Sequence, residues 1–413
     1  MFSRRRFLGA GLAAVPALST LPGMSFAAGL SQGSGDEWDD IRALYVLPEN
    51  RTYLNTGGLG PTPRPVLDTY LAAVRQWQGR TETGHARIEA ARAPVAAFLG
   101  AEEAEICFTR NATEGNAIVA SGLRLGTGDE LIVDAHAHPG GAIAWLNRQK
   151  QDGARVRIFE PDGATPQEIL ERIEAQITDR TRVIAVSHVT APTGIVLPIQ
   201  EIAALASSRN IWLHVDGAQS GGMLPVDLHA LGCQSWATSG HKWLGAPHGT
   251  GILYISENHL DEVVPTEIGA YSDAGYHLPD SLDYVATARR HESGTRSAAL
   301  VEAIAAAVSF MSEIGMERVR ARGKELCGLL RVRLETADVD ILTPSHDALH
   351  GSMLTVRPRH EPFDAMYRRM SRDHSLRCRI VTERNLNAVR FSLHVFNSTA
   401  EVDVIANAIS SGP

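Results

Sequence analysis

The sequence predicts an α/β protein: a large domain with a mostly parallel sheet covered by helices on both faces, followed by a smaller α+β C-terminal domain. Three observations lead there. Short β-branched and apolar runs alternate with helical stretches through the middle of the chain. The pattern changes after residue 297, where two long helical stretches precede further strand runs. At 413 residues the chain also exceeds the length at which a single hydrophobic core stops growing.

Taken in order, the first residues differ from all that follow. Ser3-Arg4-Arg5-Arg6-Phe7-Leu8 leads into an apolar run from Gly9 to Leu21, and Ser25-Phe26-Ala27 offers a small-x-small cleavage site. This pattern resembles a twin-arginine export signal over residues 1–27. Gly9, Gly11, Pro16, Pro22 and Gly23 make the run a poor helix, and it is too short to span a bilayer, so no stable membrane insertion is expected. Recognition by the twin-arginine export machinery implies a periplasmic or secreted protein. Residues 28–60 are expected as an arm joining the small domain, 61–297 as the large domain and 298–413 as the small one.

Within the large domain, strands are expected at 131–133, 156–159, 183–186, 211–215, 236–238 and 251–255, with helices over 166–177 and 198–208. The C-terminal part predicts helices over 298–314 and 316–334, strands at 353–356 and 388–394, and a closing helix from Thr399. Hydrophobic residues are 44% and charged residues 21%, the balance of an ordinary globular protein. A net charge of −8, with no basic block beyond the first residues, argues against nucleic acid as a partner and for a small molecule. Cys107, Cys233, Cys327 and Cys378 are scattered without a CxxC, which indicates buried free thiols and neither a zinc site nor a disulfide framework.

Ligands of open α/β sheets collect at the carboxyl ends of strands. Four places there carry polar chemistry: His136 and His138, His188 to Thr193, Asp216 to Gln219, and Ser239 to Lys242. An electron-sink cofactor needs a lysine for its aldehyde and an acid opposite its ring nitrogen. Asp216, in Val215-Asp216-Gly217-Ala218-Gln219, and Lys242, in Ser239-Gly240-His241-Lys242-Trp243-Leu244-Gly245, can supply both. About one strand-helix-strand unit separates them, which places both at one sheet edge. Singly, Asp216 would serve equally as a helix N-cap and Lys242 as a solvated surface lysine.

From about Tyr53 to Ile405 these motifs resemble the class V aminotransferase family, which includes cysteine desulfurases, kynureninases and isopenicillin N epimerases. The resemblance implies pyridoxal 5'-phosphate (PLP) as cofactor, the PLP-dependent transferase fold type I with a seven-stranded type of sheet, and a homodimer with active sites at the subunit interface. It implies Lys242 as the Schiff-base lysine, Asp216 as the partner of the ring nitrogen and His138 as the residue stacked on the ring. Gln219 would bond the ring hydroxyl. Ser239, His241 and the loop Asn111-Ala112-Thr113-Glu114-Gly115, through Ala112 and Thr113, match phosphate contacts, and a helix start suits a dianion. Thr295, in Ser293-Gly294-Thr295-Arg296, would reach the phosphate in the neighbouring subunit. Arg390 matches the arginine that grips a substrate α-carboxylate as a bidentate fork, with Asn55 and Gly57 beside the substrate.

Departures narrow the reaction. Desulfurases carry a cysteine on the loop that corresponds to residues 379–387, where this chain has none, and Ala191 stands where their motif has asparagine. Thr190-Ala191-Pro192-Thr193-Gly194, the Gly294-Thr295-Arg296 run and Tyr53-Leu54-Asn55-Thr56-Gly57-Gly58-Leu59-Gly60-Pro61 are similar to the isopenicillin N epimerase branch, which often has histidine at the place of Thr56. The expected activity is bond breaking at Cα of an amino acid or peptidyl amino acid, by epimerisation or transamination. Exported tailoring of pyoverdine-type siderophore peptides and C–S lysis are alternatives. A metallohydrolase built from His136, His138, His188, His214 and Asp216 is a further reading that leaves Lys242 unexplained. A cofactor-free binding protein would be marked by loss of Lys242 or Asp216, and both are present.

Overall fold

The computed structural model describes residues 37–411, so the expected export signal and the first part of the arm lie outside the described residues. The central sheet has seven strands in the order Ile106–Thr109, Gly251–Ile255, Ser235–Ser239, Trp212–Asp216, Thr181–Ser187, Glu130–Asp134 and Arg155–Phe159. The last five pair in parallel, whereas Gly251–Ile255 is antiparallel to both of its neighbours. Strands such as Glu130–Asp134 and Ser235–Ser239 are buried at every position. Burial on both faces is why they read in the sequence as continuous apolar runs. Ile106–Thr109 was not foreseen, because a four-residue run holding Cys107 and Thr109 carries little period of its own.

Parallel strands end together. Asp134, Ser187, Asp216 and Ser239 are the last residues of four such strands and lie at one edge of the sheet. Two helices start at that edge with side-chain caps: Asn111 accepts from the Glu114 N–H ahead of helix Ala112–Gly122, and His138 accepts from the Gly140 N–H ahead of helix Pro139–Gln151.

A second sheet, antiparallel throughout, has the order Val339–Ile341, Met353–Pro358, Ala388–Ser392 and Arg379–Val381. Its core joins Leu326 and Leu330 of helix Met316–Arg333, Met366 and Met370 of helix Phe363–Asp373, and Val402 and Ile405 of helix Thr399–Ser410. Helix Ala298–Ile314, grouped with this region by sequence, instead sends Val301, Ile304, Val308 and Met311 into the large core. So much of its surface is apolar that it needs cover on several sides, and helix Arg64–Arg80 provides part of it. The arm bridges both bodies. Ile41 and Tyr45 lie in the large core, Leu54 lies in the small one, Thr52–Tyr53 pairs in parallel with Leu376–Arg377, and Asn55 bridges Ser392. Among the described residues no single helix is long and apolar enough to cross a membrane.

A buried ion pair pins the edge strand Ile106–Thr109. Arg92 meets both oxygens of Glu292 at 2.8 and 2.7 Å, and Glu292 also accepts from the Phe108 N–H at 2.7 Å. Burial opposes ionisation of Glu292, but the bonds from Arg92 hold its carboxyl below the usual range. The stability it contributes is present above the ordinary carboxylate pKa and is lost as pH falls through the depressed value. Glu292→Ala leaves Arg92 with only the half-exposed Glu89 and removes the carboxylate partner of Arg296, and should cost about 3 kcal/mol in urea unfolding at neutral pH, whereas replacing Arg92, Glu292 and Arg296 together by apolar residues should cost less.

Candidate active site

The carboxyl edge of the large sheet opens into a cavity of about 230 Å³. Gly57, Ala112, Thr113, His138, Asp216, Gln219, Ser239, His241, Lys242 and Arg390 all line it. Asn55 stands behind Arg390, whose Nη2 donates to its Oδ1 at 3.2 Å. Thr295 does not line this cavity. It is exposed on a second cavity of about 400 Å³ with Arg110, Glu267 and Arg296.

Lys242 lies three residues beyond strand Ser235–Ser239, in a loop closed by bonds from Gly240 N to Thr250 O and from Ala246 N to Gly240 O. It is buried, so it is no solvated surface lysine. Burial lowers its amine to about 8; Asp216 opposes the shift, and Arg390 and Arg379 add to it. Asp216 ends its strand and accepts from Ala218 N at 3.0 Å and from Asn116 Nδ2 at 3.1 Å. Gln219 is fixed at both ends of its amide, donating to Gly57 O at 2.9 Å and accepting from Trp243 Nε1 at 2.7 Å. Burial, with the neighbouring Lys242 charge, lowers His241 to about 4 and depresses His138, so both rings are neutral at neutral pH.

Arg390 is 1% exposed, and its partners, Ala191 O and Asn55 Oδ1, carry no charge. Burial and then Arg379 lower it to about 9. Its Nε, together with the nearby Ser392 Oγ, has no hydrogen-bond partner. A Cβ on Gly57 would fill the space between Arg390, Gln219 and Ser392. A buried cation with neutral partners beside unfilled space is a place for an anion.

These residues fit PLP. Ser239 Oγ accepts from the Ala112 N–H at 3.0 Å, which leaves its hydroxyl proton to give, and the second amide of the helix, that of Thr113, has no acceptor within the helix. A dianionic phosphate suits that end. Gly140 and Gly141 leave a flat wall, for a Cβ at either would collide with Thr113 Oγ1 or Asp216 Oδ2. An amine for the aldehyde and a carboxylate for the ring nitrogen share the same space.

The aminotransferase class V family model matches residues 53–405. The chain belongs to the class V aminotransferase family. It is therefore a PLP-dependent enzyme. Isopenicillin N epimerase of Amycolatopsis lactamdurans is 30% identical over 389 residues, covering 90% of this chain and 98% of that protein. The epimerase of Streptomyces clavuligerus is 29% identical, covering 91% and 98%. A probable cysteine desulfurase of Methanothermobacter thermautotrophicus is 30% identical over 73% of this chain and 76% of its own length. Among solved structures, the apo cysteine desulfurase of Thermococcus onnurineus NA1 superposes with a TM-score of 0.81 at 24% identity, covering 90% of this chain and 97% of that one. The cystine C–S lyase C-DES gives 0.81 at 24%, covering 88% and 99%. At that identity the two structures speak for the fold, which is type I.

Gly140 and two polar side chains of the cavity, Asn116 and Arg379, carry no site role in the sequence reading. Asn116 lies one helical turn beyond Thr113, a spacing that puts both on one helix face. Arg379 is the cross-strand partner of Arg390. The metal alternative finds no assembled ligand set: His136 pairs with Thr193, His138 caps a helix and His214 pairs with Asn116 and Ser235, while His188 alone of the four has a ring nitrogen, Nδ1, that is buried and without a partner. Among the described residues no cluster of His, Cys, Asp and Glu could hold a metal.

The depressed Lys242 amine makes the cofactor-free protein pH-sensitive. Between about 8 and 10.5 the unfolded chain holds a proton that the folded one has lost, so stability rises with pH across that window. Lys242→Met should stabilise the cofactor-free protein below pH 8 by up to about 3 kcal/mol, at ~1.4 kcal/mol per pH unit, and melting curves should show the gap close towards pH 10.5.

Proposed function

We propose that the protein removes the Cα proton of an amino acid, or of the amino-acid end of a peptide, with Lys242 as the base, and that a solvent-derived proton delivered to the opposite face of Cα gives the epimer. The observation that carries the reading is one cavity shared by a desolvated amine at Lys242, a carboxylate at Asp216 and an uncompensated guanidinium at Arg390. Bound, the cofactor supplies an electron-accepting ring conjugated to the substrate nitrogen.

The chain's own groups do the rest. Ala112, Thr113, Ser239 and His241 hold the phosphate end, His138 covers the ring, Gln219 meets its hydroxyl and Asp216 meets its nitrogen. Arg390, steadied by Asn55, grips the α-carboxylate, and Gly57 leaves room for it. Lys242, with an amine near 8, can take the Cα proton close to neutral pH, and the proton that completes epimerisation enters from the opposite face. Arg379 adds a second guanidinium to the substrate end, and its Nη1 has no hydrogen-bond partner while Glu383 pairs with Nη2. That charge suits a substrate with a further carboxylate, such as a peptidyl amino acid.

Two observations favour epimerisation over cysteine desulfurisation. No cysteine lines the cavity, and Cys378, next to Arg379, points into the small core, where burial pushes its thiol to about 12. The epimerases also align over nearly their whole length, the desulfurase over about three quarters of its own. Transamination uses the same groups and differs in where the proton returns. We further propose a homodimer in which exposed Thr295 completes the partner's phosphate site, and export by the twin-arginine route.

In deuterated water, epimerisation should place deuterium at Cα with inverted configuration and no need of a 2-oxo acid; amino transfer that requires the oxo acid overturns it in favour of transamination. Arg390→Ala should lower kcat/KM by about thirty- to a thousand-fold, mostly through KM, and leave the visible band of the bound cofactor in place, with Arg390→Lys recovering part of the loss. Loss of the band with an unchanged KM would place the substrate elsewhere.

Export has its own check. Replacing Arg4 and Arg5 by lysine should retain the protein in the cytoplasm, and fractionation that still finds it in the periplasm rejects the twin-arginine route.

A further inference from the structure

Behind Asp216 runs a chain of buried polar side chains that the reading above does not use. Asn116 Nδ2 lies 3.1 Å from Asp216 Oδ2 and 3.2 Å from Gly140 O. Asn116 Oδ1 lies 2.8 Å from His214 Nε2, His214 Nδ1 lies 2.8 Å from Ser235 Oγ, and Ser235 Oγ lies 3.0 Å from Trp212 Nε1. Asn116 and Ser235 are 0% exposed and His214 is 1% exposed, with the Trp145 ring packed on His214.

The direction of every bond follows from both ends. A carboxylate and a backbone carbonyl only accept, so the Asn116 amide must turn its NH2 to Asp216 and Gly140 and its oxygen to His214. His214 Nε2 must then carry a hydrogen. Burial lowers this imidazole to about 3, so the ring is neutral and Nδ1 is left as an acceptor. At the far end an indole N–H only donates, so Ser235 Oγ accepts from Trp212 and gives its one proton to His214 Nδ1. The two ends agree on one arrangement.

We infer that the relay Trp212–Ser235–His214–Asn116 sets the donor that Asp216 receives, and that Asn116 and His214 are positioning residues for the ring nitrogen of the cofactor. This rests on the reading that Asp216 faces that nitrogen. Asp216 is half-buried, with one oxygen held by Ala218 N and the other by Asn116, and the Gly141 wall leaves its carboxylate little room to turn. Turning the Asn116 amide over would set its oxygen against the carboxylate and its NH2 against the His214 N–H. His214 in the wrong tautomer would force that turn, and Ser235 and Trp212 exclude it.

The test uses holoenzyme reconstituted with PLP carrying 15N in its ring, read by NMR together with the cofactor dissociation constant. Asn116→Leu keeps the approximate shape and removes the donor without adding charge; His214→Phe keeps a ring and removes both bonds; His214→Gln keeps an amide donor for Asn116. The first two should move the ring-nitrogen signal towards the unprotonated position and weaken cofactor retention by about tenfold or more, and His214→Gln should restore much of both. Thermal melting separates a merely structural role. Variants that melt lower yet keep the wild-type nitrogen signal and cofactor affinity overturn the inference. Asp216→Asn is the control: if it leaves the nitrogen signal unchanged, the placing of Asp216 is what fails, and if it moves the signal while the relay variants do not, the relay alone fails.

Discussion

The site depends on a lysine amine taken out of water among other cations. Lys242, Arg379 and Arg390 share one cavity with the single carboxylate of Asp216; burial first disfavours the charged forms of Lys242 and Arg390, Asp216 opposes this at Lys242 while Arg390 and Arg379 add to it there, and Arg379 adds to it at Arg390. Such a set is tolerable in a folded protein only if charge is given up or brought in. Lys242 gives it up more readily than a solvated lysine, with an amine lowered to about 8, and His241 stays neutral beside it. Anions can be brought in at two places, the free amides at the start of helix Ala112–Gly122 and the guanidinium of Arg390. One electrostatic rule thus favours an anion at each of these places and a readily deprotonated amine at Lys242.

The backbone makes this crowding possible at few points. Parallel strands deliver Asp216 and Ser239 to one edge, and the loop after Ser239 carries Lys242 back over it. There the arm comes in so close that Gly60 N donates to His241 O at 2.8 Å, and a Cβ at Gly60 would overlap Lys242 O. No side chain fits that approach, which is the physical reason for glycine in the arm. Gly141 plays the matching part on the far wall, where it lets Asp216 stand against the start of helix Pro139–Gln151.

What was legible in the sequence was whatever local period or chain punctuation announces. Strands such as Thr181–Ser187 are long, β-branched and buried, and the polar residues following such strands led to Asp216 and Lys242 without knowledge of the pairing order. Short edge strands were silent: Ile106–Thr109, Val339–Ile341 and Arg379–Val381 hold three or four residues each and owe their form to partners far along the chain. Arg379 was overlooked for that reason, since only the pairing register sets it opposite Arg390. Asn116 was one turn from a quoted motif, yet an asparagine inside a helix has no sequence signature that separates a network member from a solvated side chain. Helix Ala298–Ile314 was assigned by its neighbours in sequence, whereas packing of its apolar surface decided where it belongs.

The loop Thr190-Ala191-Pro192-Thr193-Gly194 shows how a motif can be legible for a reason other than chemistry. Three consecutive carbonyls in it each accept from a residue of the small sheet region: Ala191 O from Arg390, Pro192 O from Thr355 Oγ1 at 2.8 Å, and Thr193 O from Thr343 Oγ1 at 2.6 Å. Thr190 Oγ1 meets Thr193 Oγ1 at 2.8 Å and receives the Ile195 N–H at 2.8 Å, which holds the loop in the shape that presents those carbonyls. The clamp is built from backbone, so the side chain at 191 is free to be alanine without loss of the joint. Arg390 belongs to that clamp and to the cavity at once. The guanidinium that lines the cavity is therefore aligned by the contact between the two bodies of the protein, and the relative placement of the two sheets is part of the candidate site.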